Sequence, residues 1–254
     1  MDQPPVAPNE RRHGRFTRRI APTVIALAFL YVTVAYLALP RYWTERDAGR
    51  ILPVSSMLTE TPQGISGDPV NVGLVGTRAE VLAAMAAARW RPADPITLRS
   101  SLEIGLSVAL DRPYADAPIS TLIFDGHRQD LAFEKPDGIS PDKRHHVRLW
   151  QIEQEVGETM LWLGSASFDS GVGISHDTGE ITHHIGPDVD AERDLLMADL
   201  ASVCAIASKV TVEGRGETQD ARNGGGDLYR TDGLAIVATL RSAGSVKNCS
   251  PSAE

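Results

Sequence analysis

Histidine is the residue type that most suggests chemistry in this chain, because six of its seven histidines lie between residues 127 and 184. Two adjacent pairs, His145-His146 and His183-His184, fall within segments that we predict to be β-strands. Side chains alternate along a strand, so one histidine from each pair can meet on a shared face if the two strands are neighbours. Imidazoles combined with a carboxylate can hold zinc or another divalent metal.

One hypothesis is therefore a metal-dependent hydrolase of the cell envelope. Its predicted ligands are the four paired histidines, and its predicted general base is Asp125 or Asp130. No tight helical ligand motif such as HExxH supports it. The alternative is that His145 and His183 are hydrogen-bonded core histidines, since a buried imidazole needs only one or two partners.

Basic side chains near these histidines suggest a second kind of site. Guanidinium groups form paired hydrogen bonds with phosphate or carboxylate, so His127, Arg128, Arg144 and Arg148 are predicted to bind an anionic lipid or envelope metabolite. The alternative is that these arginines are solvated surface residues. The chain has no G-x-S-x-G, P-loop or dinucleotide-binding motif.

The composition is that of a folded protein, with 254 residues of which 42% are hydrophobic and 23% are charged. The net charge of −8 argues against a nucleic-acid partner, whose phosphates require a basic surface. The two cysteines, Cys204 and Cys249, can pair if the domain faces an oxidising compartment.

A membrane segment is predicted over residues 20–39, which contain no charged side chain. Twenty helical residues cover about 30 Å, the thickness of the hydrocarbon core of a bilayer. Five arginines precede this segment and three follow it, so the amino end is predicted to stay cytoplasmic, with the rest outside the inner (plasma) membrane. A cleaved signal peptide is the alternative, although its apolar core is usually shorter.

Three helices are predicted after this segment. The first begins at a capping box formed by Thr77 and Glu80. The second covers residues 94–113, where leucines recur at helical spacing, and the third begins at the N-cap Asp188. Acidic residues just after Asp188 could bind a metal, but capping and the helix dipole explain them more simply.

Short alternating or apolar runs separated by Gly, Pro and Asp predict strands from residue 119 onward. The predicted fold is α+β, a mostly antiparallel sheet packed by about three helices and preceded by one transmembrane helix. The predicted organisation is a cytoplasmic basic tail (1–19), a transmembrane helix (20–39), a stalk (40–64), an α+β domain (65–241) and a flexible tail (242–254).

The ordered segments RHHVRLW, LWLGSASFD and TGEITHHIGPDVDAERDLL resemble the LssY-like C-terminal domain family over roughly residues 65–215. The resemblance implies no agreed activity. In some members the domain follows membrane segments of the DedA or lipid-phosphatase type, which implies envelope or lipid traffic. This chain lacks the P-S-G-H signature of lipid phosphatases and has a single predicted span, so neither phosphatase activity nor transport is carried over.

Two functions are therefore expected. The first is a single-pass, membrane-anchored binding or accessory module in the envelope, with an anionic lipid or an envelope protein as partner. The alternative is the metal-dependent hydrolase with clustered histidines.

Overall fold

The computed structural model describes residues 13–48, 57–93, 121–138, 143–156, 159–214, 221–242 and 244. The predicted helix over residues 94–113 and most of the predicted tail lie outside these residues. The described part is an α+β fold with mostly antiparallel sheets and an apolar helix near the amino end, as predicted.

The first described element is a long helix, which we call the N-terminal helix. It consists of α1 (His13–Thr33), a π-helical segment (Val34–Ala38) and α2 (Leu39–Ala48). Its stretch Ala21–Glu45 has 25 residues and a mean hydropathy of 2.0, which is long and apolar enough to cross a membrane. A signal sequence meets the same criterion. Beyond the predicted end at residue 39, the helix continues into the predicted stalk.

Two helices and fourteen strands follow among the described residues. The helices are α3 (Arg78–Ala87) and α4 (Val189–Ser202). The strands are β1 (Leu58–Glu60), β2 (Ser66–Pro69), β3 (Val72–Val75), β4 (Arg91–Pro92), β5 (Ile123–Phe124), β6 (His127–Arg128), β7 (Leu131–Pro136), β8 (Arg144–Val156), β9 (Thr159–Ile174), β10 (Ile181–Ile185), β11 (Ile206–Glu213), β12 (Ala221–Arg222), β13 (Leu228–Tyr229) and β14 (Leu234–Leu240).

The strands form one large sheet with two smaller sheets beside it. The large sheet has the order β11-β14-β3-β9-β8-β7-β4. In addition, β10 pairs with the last part of β9, from Asp169 to Ile174. Only the pair of β3 and β14 is parallel among the described pairings within these sheets. Strands β2-β1-β5-β6 form a four-stranded sheet, and β12 and β13 form a two-stranded ribbon.

Helices α3 and α4 pack on one face of the large sheet, and both begin where predicted. Thr77 and Glu80 form the complete capping box of α3. The Asp188 carboxylate accepts a hydrogen bond from Ala191 N at 3.0 Å and so caps α4. Side chains from both helices and from the sheet form the main core, which includes Val81, Met85, Trp90, Phe133, Val147, Leu149, Trp162, Leu196 and Leu200.

Candidate functional site

Strand β8 carries four of the predicted site residues and divides them between two faces. Arg144, His146 and Arg148 lie on one face and His145 on the other, because successive side chains alternate. The pairing register with β9 adds two serines and an aspartate to the first face. We call the six buried residues of this surface the polar face: Arg144, His146, Arg148, Ser165, Ser167 and Asp169.

Arg144 joins three strands through charge-assisted hydrogen bonds. Its Nε donates to Asp169 Oδ2 at 2.9 Å, and its Nη1 donates to Glu134 Oε2 at 2.8 Å. The guanidinium is only 4% exposed, so these carboxylates supply the compensation that a buried cation needs. Nε and Nη1 of Arg144 are therefore already bound to carboxylates of the domain itself.

Arg148 makes a similar set of contacts at the centre of the polar face. Its Nη1 donates to Asp68 Oδ2 at 3.3 Å, and Ser167 Oγ donates to the same oxygen at 3.2 Å. Asn223 Nδ2 donates to Asp68 Oδ1 at 3.3 Å. Burial lowers the pKa of Arg148, while the charge of Asp68 opposes this shift. Strand β2 and the β12–β13 ribbon thus meet the large sheet through one carboxylate.

His146 lies between a serine and an aspartate. Ser167 Oγ is 2.8 Å from His146 Nε2, and Asp169 Oδ1 is 3.1 Å from His146 Nδ1. This connectivity is that of a hydrolytic Ser-His-Asp triad. However, Ser167 is fully buried, and Nε2 also accepts a hydrogen bond from Arg148 at 2.8 Å. The serine is therefore inaccessible, and the nitrogen that would act as its base is already occupied.

The charges of the polar face determine how its acidic group ionises. Burial alone would raise the pKa of Asp169, but its interactions with His146, His183 and Arg144 hold that pKa far below its ordinary value. Burial lowers the pKa of His183 on β10, and the nearby Asp169 carboxylate opposes that shift. His146 and His183 thus both interact electrostatically with Asp169.

His145 lies on the helix-covered face and has a different partner. Its Nδ1 is 2.7 Å from Glu192 Oε2 on α4. Its ring also packs near Phe168, with a centroid separation of 5.1 Å. Glu192 is one of the acidic residues in the first turn of α4, and through this contact it also links α4 to the sheet.

The predicted bases Asp125 and Asp130, with His127 and Arg128, belong to the β5–β6 hairpin and its flank. All four are exposed. Asp125 has a φ of 50° in the two-residue Asp-Gly turn between these strands, a turn type that favours such backbone angles. Asp130 Oδ2 accepts a hydrogen bond from Gln151 N at 2.8 Å. The hairpin contacts Trp150 of β8, whose Nε1 donates a hydrogen bond to His127 O at 3.2 Å.

The fourth predicted metal ligand, His184, lies apart from the β8 pair. Its Nδ1 is 2.7 Å from Asp227 Oδ1. In the part of the chain that the structure describes, the group of possible ligand atoms lying within 4.8 Å of one another comes from His176, His184 and Asp227. The four paired histidines thus have three different surroundings.

Several residues of these clusters were not identified from the sequence. Asp68, Ser167, Asp169 and Asp227 sit in ordinary-looking strand or turn segments, and their partners are far away along the chain. In the sequence, the only sign of these four residues is that each is a polar side chain within or next to an apolar run. That signal shows a polar group in the core but does not identify its partner.

The fold and the polar face define an α+β domain that follows an apolar helix. The family model for the LssY C-terminus matches residues 50–234 of this chain. The chain therefore belongs to the LssY C-terminal family, and the predicted resemblance is confirmed over a longer range. No curated protein and no solved structure matches the chain.

Proposed function

We propose that this is a single-pass inner-membrane protein whose LssY C-terminal domain works on the extracytoplasmic side as a binding or accessory module of the envelope. The observation that carries the proposal is a direct contact between the N-terminal helix and residues 175–180, which we call the hairpin tip of β9 and β10. Tyr31 Oη donates to Gly179 O at 2.8 Å, and Trp43 Nε1 donates to Asp177 O at 2.8 Å. Both contacting side chains lie within the apolar stretch Ala21–Glu45, so an anchored helix would hold the domain against the membrane.

Further contacts at the same place support a defined attachment. Ile181 N donates to Tyr36 Oη at 3.3 Å. Ala35 is 2% exposed and lies beside Gly179, where an added Cβ would approach Ala35 Cβ to 3.7 Å. The π-helical segment Val34–Ala38 lies within this contact, and such segments are frequent at functional positions.

Two observations support the extracytoplasmic orientation. Five arginines precede the apolar stretch and three follow it, which favours a cytoplasmic amino end. Cys204 is disulfide-bonded, and disulfides persist mainly in oxidising compartments. Cys249, the other cysteine of the chain, lies outside the described residues.

Strand β11 supports a protein partner. It forms one end of the large sheet, and no described strand pairs with its outer edge. Seven of its eight residues are exposed, including Val210 at 56%. An open edge can accept an extended segment of another protein as an added strand. The proposed partner is therefore an envelope protein with such a segment.

The other expected functions receive less support from this geometry. For an anionic lipid, only Arg128 of the three predicted arginines is exposed, since Arg144 and Arg148 hold carboxylates. For a hydrolase, the predicted bases Asp125 and Asp130 lie on the exposed β5–β6 hairpin and its flank. The proposal therefore assigns binding, with the polar face as a structural network.

The location is tested with reporters fused to the carboxyl end of the full chain. Alkaline phosphatase should be active and green fluorescent protein dark, and amino-terminal sequencing of the membrane fraction should find the apolar stretch retained. Replacing the five leading arginines with glutamine is the matched control and should reduce phosphatase activity. A mature chain beginning near residue 40, or a fluorescent carboxyl-terminal fusion, would refute the proposal.

The partner is tested by placing a photo-crosslinking amino acid at Val210 of the anchored chain. The control position is Leu82 on α3, which is 38% exposed on another element. A discrete adduct at Val210, absent at Leu82, is expected. The same adducts at both positions, or none at Val210, would contradict binding at the β11 edge.

A further inference from the structure

We propose that His176, His184 and Asp227 form a binding site for a divalent first-row transition metal ion. The site lies where the hairpin tip meets the turn between β12 and β13. One possible ligand atom from each residue lies within 4.8 Å of the other two. Two imidazoles and one carboxylate form a donor set that proteins use for zinc and related ions.

The distances suit an ion after only small shifts. Asp227 Oδ1 is 2.7 Å from His184 Nδ1 and 3.7 Å from His176 Nε2. Donor atoms that each lie about 2.0 Å from a tetrahedral zinc ion are about 3.3 Å apart, which falls between these two distances. An incoming ion would thus replace the hydrogen bond between Asp227 and His184 and draw His176 slightly inward.

Asp227 is held in place by contacts that leave one oxygen for the ion. Its Oδ2 accepts a hydrogen bond from Ile185 N at 3.0 Å, so that Oδ1 faces the imidazoles. Its own backbone N donates to Asn223 Oδ1 at 2.9 Å. Gly226 completes this turn at a φ of 82°, in the left-handed region that favours glycine. The Asn223–Gly226 turn therefore positions the carboxylate before any ion binds.

The two imidazoles are placed by the strands around them. A Cβ on Gly173 of β9 would lie 2.5 Å from His184 Nε2. The His184 ring can therefore occupy this space only because residue 173 is a glycine. His176 N donates to Gly225 O at 3.0 Å, which fixes the backbone of the second histidine to the same turn. The two ring centroids are 5.0 Å apart.

Exposure determines what kind of metal site this would be. The side chain of His176 is 64% exposed, whereas that of Asp227 is 9% exposed. Three protein ligands with an open side leave a coordination position for water or another ligand, as in catalytic rather than structural zinc sites. The carbonyl oxygen of Asp177 accepts the Trp43 hydrogen bond, so His176 is adjacent in sequence to a contact with the N-terminal helix.

The test uses the full chain in detergent, purified without a polyhistidine tag and stripped with EDTA. Titration of Zn²⁺ against a chromophoric chelator should give about one equivalent per chain. His176→Ala should lower the affinity at least about tenfold, since losing even a residue that only supports a metal ligand costs that much. Because the side chain of His176 is exposed, the variant should keep the wild-type fold. Its tryptophan fluorescence should therefore match that of the wild type.

His145→Ala is the matched control, because His145 also pairs with a carboxylate but belongs to no group of three ligands among the described residues. It should keep wild-type zinc affinity. Co²⁺ should produce visible absorption bands in the wild type and in His145→Ala but not in His176→Ala. If the wild type binds no Zn²⁺, or if His176→Ala binds it as tightly, the cluster is only a structural hydrogen bond between His184 and Asp227. This test does not depend on which side of the membrane the domain occupies.

Discussion

Arg148 donates a hydrogen bond from Nη1 to His146 Nε2 across 2.8 Å, between two residues of the same face of β8. A guanidinium can only donate, so Nε2 is the acceptor of this hydrogen bond. The other ring nitrogen, Nδ1, faces Asp169 Oδ1 at 3.1 Å. His146 therefore lies between Arg148 and Asp169 within the polar face.

Replacing Arg148 with methionine should strongly destabilise the domain. Asp68 would lose its buried cationic partner, and breaking one side of a buried ion pair costs about 3–5 kcal/mol. Urea unfolding of the full chain in detergent, followed by tryptophan fluorescence, measures this cost.

Arg128→Met is the matched control, because Arg128 is exposed on the β5–β6 hairpin. Its effect should be within about 0.5 kcal/mol, as for most surface substitutions. The double variant Asp68→Asn with Arg148→Met should recover part of the loss. An Arg148→Met domain as stable as Arg128→Met would mean that the polar face is solvated and available to an external anion.

A second buried polar residue, Asn71, should be equally intolerant of change. Its Nδ2 donates to Ala166 O at 3.0 Å and to Val189 O at 2.9 Å, and its Oδ1 accepts from Ala166 N at 2.9 Å. Asn71→Leu removes all three hydrogen bonds and leaves the buried Ala166 N without its side-chain acceptor, so it should cost about 3 kcal/mol in the same unfolding experiment. Gln63→Leu, at an exposed position, is the control, and equal stability of the two variants would contradict this role.

The sequence predicted the local structure around the candidate site well. Alternation along β8 correctly separated His145 from His146, and the capping box at Thr77 predicted the start of α3. These features depend on neighbours in the sequence, and so they can be found without knowing the fold.

The partners of the site residues could not be predicted in the same way. Asp68 contacts Arg148 and Asn223, which lie 80 and 155 residues further along the chain. Asp227 reaches His184 only because the β12–β13 turn packs against the β9–β10 hairpin. A single sequence contains no pattern that records which turn meets which strand, so the clusters emerge only from the tertiary structure.

Arg193 of α4 forms ion pairs with Asp190, Asp194 and Asp232. The pair with Asp232 predicts a pH dependence of the stability of the domain. Hydrogen bonding to Arg193 lowers the pKa of Asp232 below its ordinary value of 3.8. The Asp232 carboxylate therefore takes up a proton more readily in the unfolded chain than in the folded domain. The stabilisation from this ion pair is fully present well above pH 3.8, and it is lost as the pH falls through the lower pKa of the folded state. Asp232→Asn should thus be less stable than the wild type at pH 7, with the difference disappearing in strong acid.

Thermal unfolding of both proteins in detergent between pH 7 and pH 2 measures this difference. The carboxylate of Asp232 is 42% exposed, so solvent screening should keep the effect modest. A difference that stays constant over the whole range would show that the substitution acts through packing rather than through charge.

The contact between Tyr31 and Gly179 predicts how deep the domain sits in a membrane. Tyr31 is ten residues beyond Ala21, the first residue of the apolar stretch, which corresponds to about 15 Å along the helix. Exposed Ile174 and Ile181 flank the hairpin tip on β9 and β10, at 59% and 36% exposure. With the helix in a bilayer and this contact kept, we expect the side chains of Ile174 and Ile181 to contact the outer leaflet, because apolar side chains favour that environment.

A fluorophore attached to Ile174→Cys in the full chain, reconstituted in nanodiscs, measures this depth. Lipids with a spin label in the acyl chain should quench it more strongly than the same fluorophore at Val210→Cys, on the open edge of the large sheet. Cys204 is disulfide-bonded, so the introduced thiol is the reactive one. Equal quenching at the two positions would place the hairpin tip outside the lipid, and the hydrogen bond between Tyr31 and Gly179 would then have to break when the helix inserts.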